Sequence, residues 1–141
     1  DGKGHWMDRQ EVSGLHWMAS KTRKPRPKKI VWLQDEVVHP RFYWLANDDP
    51  QPRQRIVAQL ENQTVHILEA GDASSLRIRL DDGMVDLDRK VIVRGPENQV
   101  LFQGQVPRTI ETMAKTLAER GDPTGIFTGE IVVELPTQPS P

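Results

Sequence analysis

The sequence predicts a mainly β fold, an immunoglobulin-like antiparallel β-sandwich with one helix at its N-terminus and one near its C-terminus. Three observations carry that prediction. Seven or eight short runs rich in β-branched and aromatic residues recur between residues 29 and 135, the spacing of a sandwich rather than of alternating strands and helices. One of them, SLRIRL (75–80), alternates strictly between apolar and basic side chains, as a strand with one buried face does. The length of 141 residues, with 10 Gly and 11 Pro, allows one domain of roughly 100 residues and a short extra segment. An OB-like barrel is the alternative arrangement of the same strands.

In chain order, DGKGHWM (1–7) reads as a loop. Asp8 can cap a helix with Glu11 three positions on. Val12, Leu15, His16 and Ala19 follow at helical spacing, and Trp17 and Met18 widen the apolar face, so a helix is expected over about residues 9–21. It is too short to be stable alone, and its Trp and Met side chains need a partner surface. The run KTRKPRPKK (21–29) places six basic side chains in nine positions, and Pro25 and Pro27 make it an extended connector.

KIVWLQ (29–34), RFYWLAN (41–47), QRIVAQL (54–60) and TVHILE (64–69) read as strands, the last two joined through a turn at Asn62. In SLRIRL, Leu76, Ile78 and Leu80 face the core, which leaves Arg77 and Arg79 on a solvated face. KVIVR (90–94) and QVLFQ (99–103) flank Gly95-Pro96-Glu97-Asn98, a reverse-turn composition, with Val100 and Phe102 pairing with Val91 and Val93. That places the Leu-Phe-Gln-Gly core preferred by 3C-type proteases inside a native strand. Ile110, Met113, Ala114, Leu117 and Ala118 form the apolar stripe of a helix that starts at Thr109 and stops at Gly121. This helix is expected to cross one end of the sandwich. GEIVVEL (129–135) is the last strand, and TQPSP the tail. The resulting division is 1–27, 28–136 and 137–141.

Composition removes several chemistries. No cysteine is present, which excludes disulfides and thiolate sites. No apolar run approaches the length of a membrane span. The net charge of -1 gives no reason to expect nucleic acid, even though residues 1–55 carry +4 and residues 56–141 carry -5. Trp32 and Trp44 stand near the basic run, yet they sit in strand-like stretches where aromatics pack.

Four histidines are available. His5 lies in a glycine-rich loop ahead of a helix, a position from which an imidazole can shuttle a proton for a hydroxyl nucleophile; alternatively it packs against Trp6. His16 reads as a packing or rim residue, His39 precedes a proline in a turn, and His66 lies in a strand. No two histidines are spaced i, i+4, so no zinc site is expected. None of Ser13, Ser20, Ser74, Ser75 or Ser140 sits in a G-x-S-x-G elbow. The acidic stretch LDDGMVDLD (80–88) lacks the spacing of a calcium loop and reads as a turn. No metal or cofactor is expected.

Several stretches taken together resemble a known family: GKGHWMD (2–8), LHWMAS (15–20), RKPRPKKIVW (23–32), HPRFYWL (39–45), LDDGMVDLDRKVIVRG (80–95) and VPRTIETMAKTLAERGDP (106–123). They resemble the C-terminal part of bacterial α/β-hydrolase-like esterases, of the phospholipase/carboxylesterase or polyhydroxybutyrate-depolymerase type, in which a catalytic domain is followed by a β-sandwich accessory domain. The resemblance implies that His5 is the triad histidine of the parent enzyme and that the first helix is the last helix of its hydrolase domain. It also implies a secreted, periplasmic or envelope-associated parent. The chain departs from the family in lacking the nucleophilic serine, the triad acid and the oxyanion loop, so it is not expected to be an enzyme by itself.

Three functions follow as expectations. The first is a non-catalytic accessory or interaction domain, with the missing catalytic domain as partner and self-association through the N-terminal helix as a further possibility. The second is a carbohydrate- or polymer-binding sandwich using Trp32, Tyr43 and Trp44 as an exposed aromatic surface. The third is a partial hydrolase site completed by another chain.

Overall fold

A computed structural model describes residues 12–136. Within them the helix α1 (Val12–Ala19) precedes nine strands: β1 (Lys29–Leu33), β2 (Arg41–Phe42), β3 (Leu45–Ala46), β4 (Arg55–Glu61), β5 (Thr64–Glu69), β6 (Ser75–Leu80), β7 (Val91–Arg94), β8 (Val100–Gly104) and β9 (Gly129–Glu134). The helix α2 (Ile110–Arg120) and a 3-10 turn (Pro123–Gly125) lie between β8 and β9. The strands form a five-stranded sheet, β1-β4-β5-β7-β8, and a four-stranded sheet, β2-β3-β6-β9.

Alternation decides what each strand buries. Ile30 and Trp32 of β1, Val65 and Ile67 of β5, and Val91 and Val93 of β7 point inward from the first sheet. They meet Leu45, Leu76, Ile78, Leu80, Ile131 and Val133 of the second sheet in one core. The fold is therefore mainly β, with two sheets around a shared apolar interior, as a sandwich requires. Asn62 (φ 53) and Asn98 (φ 63) occupy the left-handed region in the turns that join β4 to β5 and β7 to β8, where an asparagine side chain lowers the cost of that conformation.

The sheets are not wholly antiparallel. β5 and β7 pair in parallel, Val65 opposite Val93. Between them the chain crosses to the second sheet, runs along β6 and returns, so that two changes of sheet leave β5 and β7 running the same way. β8 does follow β7 as an antiparallel neighbour, with Phe102 opposite Val93, but Val100 lies opposite Arg94 and Gly104 opposite Val91.

RFYWLAN is not one strand. Phe42 pairs with Leu45 in a tight hairpin, and Tyr43 takes φ 53 at the bend. Trp44 is fully buried there. Its indole N–H donates to the Pro27 carbonyl at 2.8 Å, while its own carbonyl accepts from the Arg79 N–H at 2.9 Å. The bend is stabilised by what it buries. Trp32, also buried, stacks on Phe42 with ring centroids 5.9 Å apart.

The basic run is anchored to the sandwich. Arg23 donates to Asp122 and Thr124. Arg26 donates to Asp81, to the Ile126 carbonyl at 3.1 Å and to the Thr124 carbonyl at 3.2 Å, and lies over the Phe127 ring. Only upstream of this anchorage does the chain leave the body: α1 buries none of its residues. The expected helix over 9–21 is described from Val12 and ends at Ala19, with Ser20 Oγ donating to the Trp17 carbonyl at 2.7 Å.

α2 has the ends that its sequence predicts. Thr109 accepts from the Thr112 N–H at 3.1 Å, and Gly121 (φ 60) donates to the Leu117 carbonyl at 2.7 Å. Its orientation is reversed from expectation. Ile110, Met113 and Leu117 are exposed, and the helix turns Lys115 and Glu119 toward the outer face of the second sheet and Thr116 toward the Phe127 backbone. It packs over the part of that face that carries Arg79 and Glu130, while Val132 on the same face stays exposed.

Candidate functional site

The polar face of α2 and the outer face of the second sheet enclose a network of ions. Arg79 on β6, expected in solvent, is only 1% exposed, because α2 lies over it. Its Nε donates to Glu130 Oε2 on β9 at 3.2 Å, and Nη2 donates to Glu119 Oε1 on α2 at 3.1 Å. Arg79 Nη1 and Glu119 Oε2 lie 2.6 Å apart, close enough for strong attraction but off the hydrogen-bonding line. Lys115 donates to Glu130 Oε1 at 2.8 Å, and Arg77 bridges Glu130 to Asp48. Burial pushes the Glu130 carboxyl up, but the hydrogen bonds from Lys115 and Arg79 outweigh it and hold the carboxyl below its ordinary value.

Thr116 joins this face to the next loop. The buried hydroxyl accepts from the Phe127 N–H at 3.1 Å and donates to the Thr112 carbonyl at 2.8 Å. Phe127 is in turn part of the core, so the polar underside of α2 and the apolar interior are fixed to each other.

At the C-terminal end of α2 the network opens into a cleft of about 440 Å³ whose lining includes Arg23, Arg41, Phe42, Tyr43, Arg120 and Asp122. Three elements supply its cations: the connector (Arg23), β2 (Arg41) and the last turn of α2 (Arg120). Arg41 stands 3.5 Å from Glu119, a carboxylate already engaged by Arg79. Arg120 donates to the Tyr43 carbonyl at 2.6 Å. Burial, and then the positive fields of Arg79, Arg41 and Arg23, make the Arg120 guanidinium less basic than usual. Phe42 and Tyr43 form the apolar wall, ring edge to ring face at 4.8 Å.

The residues singled out from sequence have different fates. His5 lies outside the described residues. Trp32 and Trp44 are buried and Tyr43 is half-buried, so these three present no aromatic strip; the apolar interior claims both indoles. His16 is exposed on α1, His39 is held through its backbone by the Gln34 side chain, and His66 lies 4.0 Å from Glu61. Among the described residues no group of three His, Asp or Glu is arranged to hold a metal ion. The acidic stretch does form a turn, and three of its four carboxylates are paired: Asp81 with Arg26, and Asp82 and Asp88 with Arg108; Asp86 accepts from the Asp88 N–H at 3.0 Å. Among the described residues no helix is long and apolar enough to cross a membrane.

Sequence reasoning missed Arg41, Arg120, Glu119 and Glu130. One signal was present. Thr112, Lys115, Thr116 and Glu119 recur at i, i+3, i+4 and i+7, the same period as the apolar stripe that was expected inside. Comparison with known protein families, curated proteins and solved structures returns no match.

Proposed function

We propose that the chain is a non-catalytic accessory domain that docks, through its N-terminal helix, onto the catalytic domain of a bacterial serine esterase. The observation that carries this reading is the state of α1. Val12, Leu15, Trp17 and Met18 are all exposed, Trp17 at 63%, on a helix that buries none of its described residues and is too short to be stable without a covering surface. Exposed apolar patches of this kind mark interaction sites. The resemblance carried by LHWMAS (15–20) assigns the covering surface to a hydrolase domain, in which His5 would take the proton of a serine nucleophile and return it to the leaving alkoxide. The outward stripe of α2 adds a second apolar area. Two sheets around one core support an immunoglobulin-like type for the module.

The test is an extended protein that includes the coding sequence upstream of Asp1, assayed on short-chain aryl esters beside residues 1–141 alone. The expected result is turnover by the extended protein, its loss in His5→Ala, and slowed amide exchange at residues 12–19 relative to the shorter chain. Turnover by residues 1–141 alone, or an upstream region without a serine elbow, would overturn the reading. So would a light-scattering mass showing that α1 is covered by a second copy.

A further inference from the structure

We infer that the cleft at the C-terminal end of α2 is a binding site for a small anion, a carboxylate or phosphate monoester borne on a flat apolar group. The assignment goes beyond the docking role and does not depend on it. Its first basis is unbalanced charge. Arg23, Arg41 and Arg120 line one cleft with a single lining carboxylate, Asp122, which Arg23 already engages. Glu119 is divided between Arg79 and Arg41. Arg120 has no carboxylate partner among the described residues; its recorded partner is the Tyr43 carbonyl. A half-buried guanidinium with N–H groups to spare, beside a second arginine, presents the fork geometry that matches an oxyanion.

The second basis is the wall. Tyr43 is a bulky aromatic residue at φ 53, a conformation that costs free energy and persists only where surrounding contacts impose it. Here the Arg120 bond to its carbonyl imposes it from one side, and the burial of Trp44 from the other. The bend keeps the Phe42 and Tyr43 rings at the edge of a cationic cleft. An apolar wall beside a few converging polar groups is the usual composition of a small-molecule site. At about 440 Å³ the cleft accommodates a single substituted ring and its charged group.

The neutralising groups already in place explain why a monoanion or dianion is sufficient. Asp122 and Glu119 satisfy part of the positive charge, so the remaining demand is for one ligand group that bridges Arg41 and Arg120. Arg41 is itself part-exposed, which leaves the ligand an open approach from solvent.

The test is titration of residues 1–141 with phenyl phosphate, benzoate and inorganic phosphate, followed by amide chemical shifts. The expected result is saturable perturbation confined to residues 23–25, 41–44 and 120–125, with at least one aryl anion binding tighter than inorganic phosphate. Arg120→Gln should weaken that binding about tenfold or more, as the loss of a charge-assisted hydrogen bond does. Arg41→Gln should do the same without touching the Tyr43 carbonyl, and it decides the matter should Arg120→Gln fail to fold. Absence of saturation with all three probes, shifts outside the cleft, inorganic phosphate binding as well as both aryl anions, or unchanged affinity in Arg41→Gln would overturn the assignment.

Discussion

Arg79 and Glu130 sit directly opposite each other on β6 and β9, and the Arg79 Nε donates to Glu130 Oε2 at 3.2 Å beneath a helix. Their ladder position makes the pair part of the sheet. Replacing Arg79 by Met removes the cation that faces both Glu119 and Glu130. Breaking one member out of a buried pair typically costs about 3–5 kcal/mol; with Lys115 and Arg77 still beside Glu130, the lower end is expected. Urea unfolding measures it, and a loss below about 1 kcal/mol would refute the role. Arg79→Met combined with Glu119→Gln should cost less than Arg79→Met alone, because Glu119, left with only Arg41 at 3.5 Å among the described residues, is then no longer a stranded carboxylate.

Thr116 is fully buried, and its hydroxyl is a recorded acceptor for the Phe127 N–H. Thr116→Val keeps the volume and leaves that N–H without a partner, a loss of about 1–3 kcal/mol. Thr116→Ser retains the hydroxyl and should recover most of the difference. Equal stability of the two variants in denaturant titration would contradict the assigned role.

The Asp122 carboxyl is held at about 2, below the ordinary 3.8, by the hydrogen bond from Arg23 and then by those from Thr124. A depressed folded value means that the carboxylate contributes stability above the unfolded value. That contribution fades as pH falls through about 2. A carbon-detected titration of the Asp122 carboxyl should therefore show its midpoint near 2 and, in Arg23→Gln, a return toward 3.8. A midpoint that Arg23→Gln does not move would show that the connector is not held by this pair.

Leu117→Lys and Trp17→Lys alter large apolar side chains that the chain itself leaves in solvent. Each should change the unfolding free energy of residues 1–141 by no more than about 0.5 kcal/mol. Ile78→Ala, in the core, should cost about 2–5 kcal/mol. A loss in Leu117→Lys comparable to that of Ile78→Ala would mean that the stripe on α2 is packed inside.

Local rules made much of the fold legible. Alternation placed Leu76, Ile78 and Leu80 inward, where they are buried, and turn chemistry located the bends at Asn62 and Asn98, because each depends only on neighbours in sequence. What failed depended on pairing at a distance. Arg79 reads as solvated until α2 is laid over β6 and Glu130 is set opposite it. α2 carries two stripes of equal period, and hydrophobicity favours the wrong one; the sheet face it covers is charged, so the polar stripe goes inside. The cleft was invisible for the same reason, since Arg23, Arg41 and Arg120 lie on three elements far apart in the sequence. His5, the residue with the most direct chemical implication, lies outside the described residues.

The short stretch between α1 and the anchored connector sets a range. Arg23 lies four positions beyond Ala19, a reach of about 14 Å at full extension. Any partner that grips α1 is thereby leashed beside the arginine cleft at an effective concentration on the order of millimolar. A group on that partner would need little affinity of its own to enter the cleft, and a small anion already there would have to be displaced.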